Sequence, residues 1–168
     1  TFAAPSNGDN TTTAARYTYH STNAGDDYVV FPGLTLQAGV SYKVKIDVRA
    51  NSTFYAERIE VVAGQVAKAS ELTTSVIEPT NVTTGTYETY TAEFTPEADG
   101  VYYFAIHAIS DADMFYLYAD NFSVKENNPN TPSAATAFTA EAGEEGALKA
   151  SLTFTLPSTT VGGATIDE

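Results

Sequence analysis

Asp120 and Asn121 stand where a run of alternating apolar residues changes step. Phe115, Leu117 and Ala119 share one parity, whereas Phe122 and Val124 continue on the other, so one extra residue is inserted between them. That is how a β-bulge looks in sequence, and a bulge re-aims the side chains at its centre. A carboxylate followed by an amide at such a point offers hard oxygens, the donors that calcium gathers from loops at roughly 2.3–2.6 Å. Asp26, beside Asp27, and Asp9 in the loop Asn7-Gly8-Asp9-Asn10 add more oxygens. Asp120, Asn121, Asp26 and Asp9 therefore form the candidate metal set, with a structural calcium as the one candidate cofactor. No segment has the ligand spacing of an EF-hand loop. The alternative is that Asp120 accepts backbone N–H bonds freed by the bulge, which needs no metal.

Other chemistries fare less well. The chain has no cysteine, which excludes disulfides, zinc thiolates and thiol catalysis. Only His20 and His107 are available as imidazole bases, and neither sits beside a Gly-x-Ser-x-Gly turn or a Gly-rich oxyanion loop. No catalytic residues are assigned; a small glycoside-acting enzyme built on a carboxylate pair stays open only because acids are abundant. Glu57 shares parity with Ile59 and Val61 and so points inward or to a half-covered face; a buried carboxylate needs a partner, and Arg16, His107 or backbone amides are the candidates. It reads as a structural polar anchor. Tyr103 and His107 lie opposite in parity to Phe104, Ile106 and Ala108. If Phe104 faces the core, Tyr103 and His107 lie on the outer face of a central strand and floor a shallow sugar groove, the alternative being ordinary surface packing.

Twenty-one acids against eight bases give a net charge of -13, which repels nucleic acid and anionic lipid unless a local basic patch exists. The only basic cluster visible along the chain is Lys43, Lys45 and Arg49. The longest apolar run, near residues 101–109, is far short of the roughly twenty residues that a membrane helix needs. Direct membrane insertion is not expected. A chain that begins at Thr1 reads as processed or cut.

The elements that must position these residues are strands. In residues 40–50, Val40, Tyr42, Val44, Ile46 and Val48 form one face and Ser41, Lys43, Lys45, Asp47 and Arg49 the other, an antiparallel strand with one wet side. Further strands are expected over residues 16–20, 27–31, 55–63, 74–78 and 87–95, and a closing hairpin over residues 100–124. Turns are marked by Asn23-Ala24-Gly25, Pro32-Gly33, Ala38-Gly39, Pro79-Thr80 and Ala98-Asp99-Gly100. Roughly eight strands in all is the number a jelly roll uses. After Glu126 the segment Asn127-Asn128-Pro129-Asn130-Thr131-Pro132 reads as a stiff linker. Beyond it Leu148, Ala150, Leu152, Phe154 and Leu156 alternate with polar residues, and residues 133–168 fall short of the roughly 40 that usually close a core. An apolar row of that kind is expected to dock on the first domain or to pair with another copy of the chain.

The run Asp26-Asp27-Tyr28-Val29-Val30-Phe31-Pro32-Gly33-Leu34-Thr35-Leu36 followed by Gly39-Val40-Ser41-Tyr42 resembles the opening of choice-of-anchor J domains, relatives of the cleaved-adhesin domains. Tyr28 stands where that family usually has Trp. Residues 55–61 resemble the family's Glu-containing strand, and residues 100–110 with 116–124 its closing pair. The tail from Pro132-Ser133-Ala134 through Thr153-Phe154-Thr155-Leu156-Pro157 resembles the first strands of a fibronectin type III module, with Phe154 in place of the usual Trp.

These resemblances imply an all-β, jelly-roll-like (galactose-binding-like) antiparallel β-sandwich over residues 1–126, a linker over 127–132, and two strands of an incomplete fibronectin type III-like module over 133–168. They imply a non-catalytic binding or adhesion module of a secreted or surface-anchored bacterial protein, contacting glycans or a host or matrix protein. The alternative is an accessory carbohydrate-binding module attached to a hydrolase.

Overall fold

Period-two alternation becomes antiparallel strands throughout the computed structural model, which describes residues 2–3, 13–127, 135–142 and 150–158. The chain divides into two compact units, Thr1–Asn127 and Asn128–Glu168. In the first unit the strands are β1 (Phe2–Ala3), β2 (Ala15–Thr18), β3 (Asp27–Val30), β4 (Leu34–Leu36), β5 (Tyr42–Ala50), β6 (Glu57–Gly64), β7 (Thr74–Val82), β8 (Glu88–Phe94), β9 (Gly100–Ala108) and β10 (Tyr116–Glu126). Among the described residues the helical content is a single 3-10 turn at Ala69–Glu71.

Two five-stranded sheets result. One runs β1-β2-β10-β5-β8; the other runs β3-β9-β6-β7 with β4 also paired to β9. Every pairing is antiparallel. The inward face of β5 is the row expected from sequence: Val44, Ile46, Val48 and Ala50 are sealed from solvent, against Ile59, Val61, Phe104 and Ile106 of the other sheet. Each such Val or Ile contributes roughly 1.5–3 kcal/mol relative to exposure. Tyr102 and Phe104 meet Phe94 edge-on, and Phe31 stacks on Phe122 with centroids 4.0 Å apart. This is a jelly-roll-like, galactose-binding-like sandwich.

The strand count exceeds the expected eight because the short strands β1 and β4 carry too few residues for alternation to register. Pro79-Thr80 is not a turn but lies within β7. As the edge of its sheet, β7 tolerates a residue without an N–H, and its register with β6 slips on either side of Val61. Asp47, assigned to the wet side of β5, is only 4% exposed.

The second unit holds β11 (Thr136–Ala142) paired antiparallel with β12 (Ala150–Thr155). Phe154 and Leu156 are exposed, and Leu148 and the proposed linker beyond Asn127 lie outside the described residues.

Candidate functional site

The bulge is where the alternation placed it. Asp120 faces Asp47 and Ser123 faces Lys45, three steps along β10 for two along β5. Asn121 takes φ 52°, a left-handed conformation that Asn adopts more readily than most residues. The irregularity rotates Asn121 so that its Nδ2 donates to Asp47 Oδ2 at 2.9 Å, while Asp120 Oδ1 accepts the Asn121 backbone N–H at 2.8 Å. Lys45 Nζ donates to Asp47 at 3.2 Å and Thr89 Oγ1 donates to its other oxygen. Burial pushes the Asp47 carboxyl up, but the bonds from Thr89, Asn121 and Lys45 together outweigh it and hold the group below the usual carboxylate range. Ala119 pairs with Ala15, and a cleft of about 320 Å³ beside the bulge is lined by Thr13, Phe31, Asp120 and Phe122 among others.

Within the candidate metal set, Asp26 stands apart from Asp120 and Asn121. Asp26 turns to the outer face of the second sheet, and Asp9 lies outside the described residues. Among the described residues no three His, Asp or Glu side chains gather around a common point suited to a metal.

Phe104 does face the core, which puts Tyr103 and His107 on the outer face of β9. His107 is only 9% exposed. Its Nδ1 lies 2.7 Å from Glu60 Oε1 and its Nε2 lies 2.9 Å from Asp26 Oδ1, and the Tyr28 ring stacks on it at 3.8 Å. Burial, then Asp26 and Glu60, raise the Tyr28 hydroxyl above its ordinary value. Tyr103 is half-buried against Val62, Leu72 and Ala105, and a Cβ at Gly33 would lie 2.9 Å from its ring. The outer face here is a polar and aromatic packing around His107, with the Asp26 side chain exposed and Tyr103 at its margin.

Glu57 is fully buried at the start of β6. Its partners are neither Arg16 nor His107: Ser110 Oγ donates to Oε2 at 2.6 Å and the Phe115 backbone N–H to Oε1 at 2.8 Å. Ser110 Oγ also accepts the Arg58 N–H at 2.8 Å. Burial raises the Glu57 carboxyl above its ordinary value, and the bonds from Ser110 and Phe115 only partly offset this. Arg16 lies instead over the ring of Tyr116.

What Glu57 ties together is the feature that sequence reasoning missed. The connection before β6 carries Phe54, 91% exposed, and Tyr55, 45% exposed; the connection before β10 carries Phe115, 37% exposed. Phe115 stacks on Tyr55 (5.7 Å, 13°) and on Tyr19 (5.9 Å, 8°), and Tyr116 meets Phe115 edge-on at 5.3 Å. Backbone bonds from Tyr19 N to Phe115 O (3.2 Å) and from Asn51 N to Tyr116 O (2.8 Å) fix the three segments together. The result is an aromatic platform of near-parallel rings at one end of the sandwich. A signal existed: Phe54-Tyr55 sits in a Ser/Thr/Asn-rich connection, where aromatics have no core to fill.

Known structures share this fold. The chain is similar to the K1 cleaved adhesin domain of Lys-gingipain from Porphyromonas gingivalis W83, with a TM-score of 0.60 and 20% identity over 76% of this chain and 82% of that one. It is similar to the C-terminal domain of EclA, a sugar-binding protein, with a TM-score of 0.52 and 18% identity over 67% and 76% of the two chains. It is also similar to the CBM22-1–GH10 modules of a Clostridium thermocellum endo-1,4-β-D-xylanase complexed with xylohexaose, with a TM-score of 0.55 and 18% identity, over 80% of this chain and 26% of that one. No protein-family model and no curated protein sequence matches the chain. At these identities the likeness establishes the fold, a β-sandwich found in adhesin domains and carbohydrate-binding modules.

Proposed function

We propose that residues 1–126 are a non-catalytic binding module of the cleaved-adhesin and choice-of-anchor kind, carried by a secreted or surface-displayed multidomain protein, and that it contacts glycans through the aromatic platform around Phe115. The observation that carries this reading is the set of near-parallel Tyr19, Phe115 and Tyr55 rings presented by connecting segments at one end of the sandwich. Aromatic faces stack on the C–H faces of sugars, and exposed rings held rigidly by a scaffold contact a ligand at little entropic cost. A platform of this size suits weak affinity, roughly micromolar to millimolar. The sugar-binding EclA domain and the xylohexaose-bound modules are consistent with a glycan partner. A hydrolytic role has less support: His107 has both nitrogens on carboxylates and Glu57 is sealed from solvent.

A broad glycan array tests the reading. Hits with the wild-type chain that vanish in Phe115→Ala, at unchanged melting temperature, are expected. Hits that survive Phe115→Ala and vanish in Tyr103→Ala would move the site to the outer face of β9. A blank array would favour protein adhesion, the alternative partner. Calcium at Asp120 remains a proposal with its own test: chelator should lower the melting temperature by mass-action linkage, and Asp120→Ala should abolish the difference. Identical curves with and without calcium would leave Asp120 with its backbone hydrogen bond alone.

A further inference from the structure

Of the eight Lys and Arg residues in this acidic chain, Arg16, Lys43, Lys45, Arg49 and Lys125 share the outward face of the first sheet. The register places them there. Arg16 and Arg49 flank Tyr118 on neighbouring strands, and Lys43 is opposite Lys125. The alternate residues Tyr17, Val44, Ile46, Val48 and Leu117 face the core. The basic patch that the sequence showed only as a short cluster on β5 is thus enlarged by β2 and β10.

Lys45 pairs with Asp47, but among the described residues neither Arg16 nor Arg49 forms an ion pair, in a chain with 21 acids. Each guanidinium is laid on aromatic rings. That of Arg49 lies 3.9 Å from the Tyr118 centroid and 5.3 Å from that of Tyr87; that of Arg16 lies 5.0 Å from the Tyr116 centroid. Arg16 Nε is buried without a hydrogen-bond partner, so the fork that Arg16 can offer a ligand is its terminal pair of Nη groups. Stacking fixes the plane of a guanidinium and leaves its N–H edge as a rigid fork that matches a carboxylate in bidentate fashion. Two strand spacings separate the arginines, roughly 10 Å between their Cα atoms, a gap that side chains of this length can share around one anionic group. Tyr116, under Arg16, also touches the ring of Phe115, so the arginine row continues the aromatic platform.

We propose that the glycan bound by this module is acidic: a uronate-containing saccharide whose rings stack on the platform and whose carboxylate is forked by Arg16 and Arg49. This rests on the glycan reading above. The net charge of -13 does not forbid it, because distant charges are screened within about 8 Å at physiological salt while the local excess of base acts at contact.

The test titrates the 168-residue chain with oligogalacturonate, glucuronate-bearing xylan and alginate oligosaccharides, each against its carboxyl-reduced or methyl-esterified form. At least one acidic form should bind about ten-fold or more tighter than its neutral counterpart, and added salt should weaken it. Arg49→Met and Arg16→Gln, which keep much of the stem packing but remove the fork, should erase that preference, so that each variant binds the acidic and neutral forms equally. Should either variant melt early, Arg49→Lys keeps the charge without the fork and should lose most of the preference. Equal binding of acidic and neutral forms overturns the inference while the glycan reading stands. A preference that survives both substitutions, or equal competition by polyglutamate, also overturns it. Failure of every saccharide, acidic and neutral, on the array and in titration removes the glycan reading itself.

Discussion

Glu57 is the buried group on which the platform hangs, since its carboxylate holds the Phe115 amide and the Ser110 hydroxyl from the far side of a connection. Glu57→Ala leaves that N–H and hydroxyl without their acceptor and should cost about 2–4 kcal/mol in urea unfolding, with loss of glycan binding as Phe115 loosens. Glu57→Gln keeps one acceptor for Phe115 and should be far milder. Its pH signature is specific. The folded carboxyl titrates above its ordinary value of 4.5, so the stability it contributes is full below that value and is lost as pH rises through the raised folded value. Asp47 runs the other way: its folded carboxyl is depressed below 3.8, so its contribution is present above that value and is lost as pH falls through the depressed one. Unfolding followed across pH should show Glu57→Gln flattening the slope on the neutral side and Asp47→Asn flattening it on the acid side. Unchanged slopes would contradict the burial and bonding described for the two groups.

Among the elements, β10 carries the most information and its bulge was readable before any coordinates. The parity switch from Ala119 to Phe122 is a one-dimensional property, and the register slip between Asp120 and Ser123 is its direct consequence. Asn121→Gly should keep the backbone turn but lose the bond to Asp47, destabilising by about 1 kcal/mol, whereas Asn121→Val should cost more because a β-branched residue resists positive φ. Equal melting temperatures for the two variants would deny any strain at φ 52°. The burial of Asp47 was not readable, because its partners Thr89 and Asn121 lie 42 and 74 residues away in sequence. Alternation names a face; it does not say what covers it. The same limit hid the platform: Tyr19, Tyr55 and Phe115 read as strand residues in sequence, whereas β2 ends at Thr18, β6 begins at Glu57 and β10 begins at Tyr116, which leaves all three in the connections. In the second unit the exposed Phe154 of β12 and Leu156 just after it should promote association of copies. Light scattering on the 168-residue chain and on a chain ending at Glu126 should show self-association only in the longer one; two monomers would rule this out.

For the molecule as a whole, the acidic composition implies repulsion of anions except where a local basic patch exists, and the fold sorts most of its bases onto one sheet face next to the exposed ring of Phe115. The proposed glycan contact accordingly lies at one end of the sandwich, away from the His107 cluster on the outer face of β9. Chemical-shift mapping tests this most directly: the chain, labelled at Tyr, Phe and His, is titrated with the strongest saccharide from the array. Tyr19, Tyr55, Phe115 and Tyr116 should shift in a saturable manner while Tyr103 and His107 stay in place. Shifts centred on Tyr103 and His107, with the platform rings unmoved, would contradict the account.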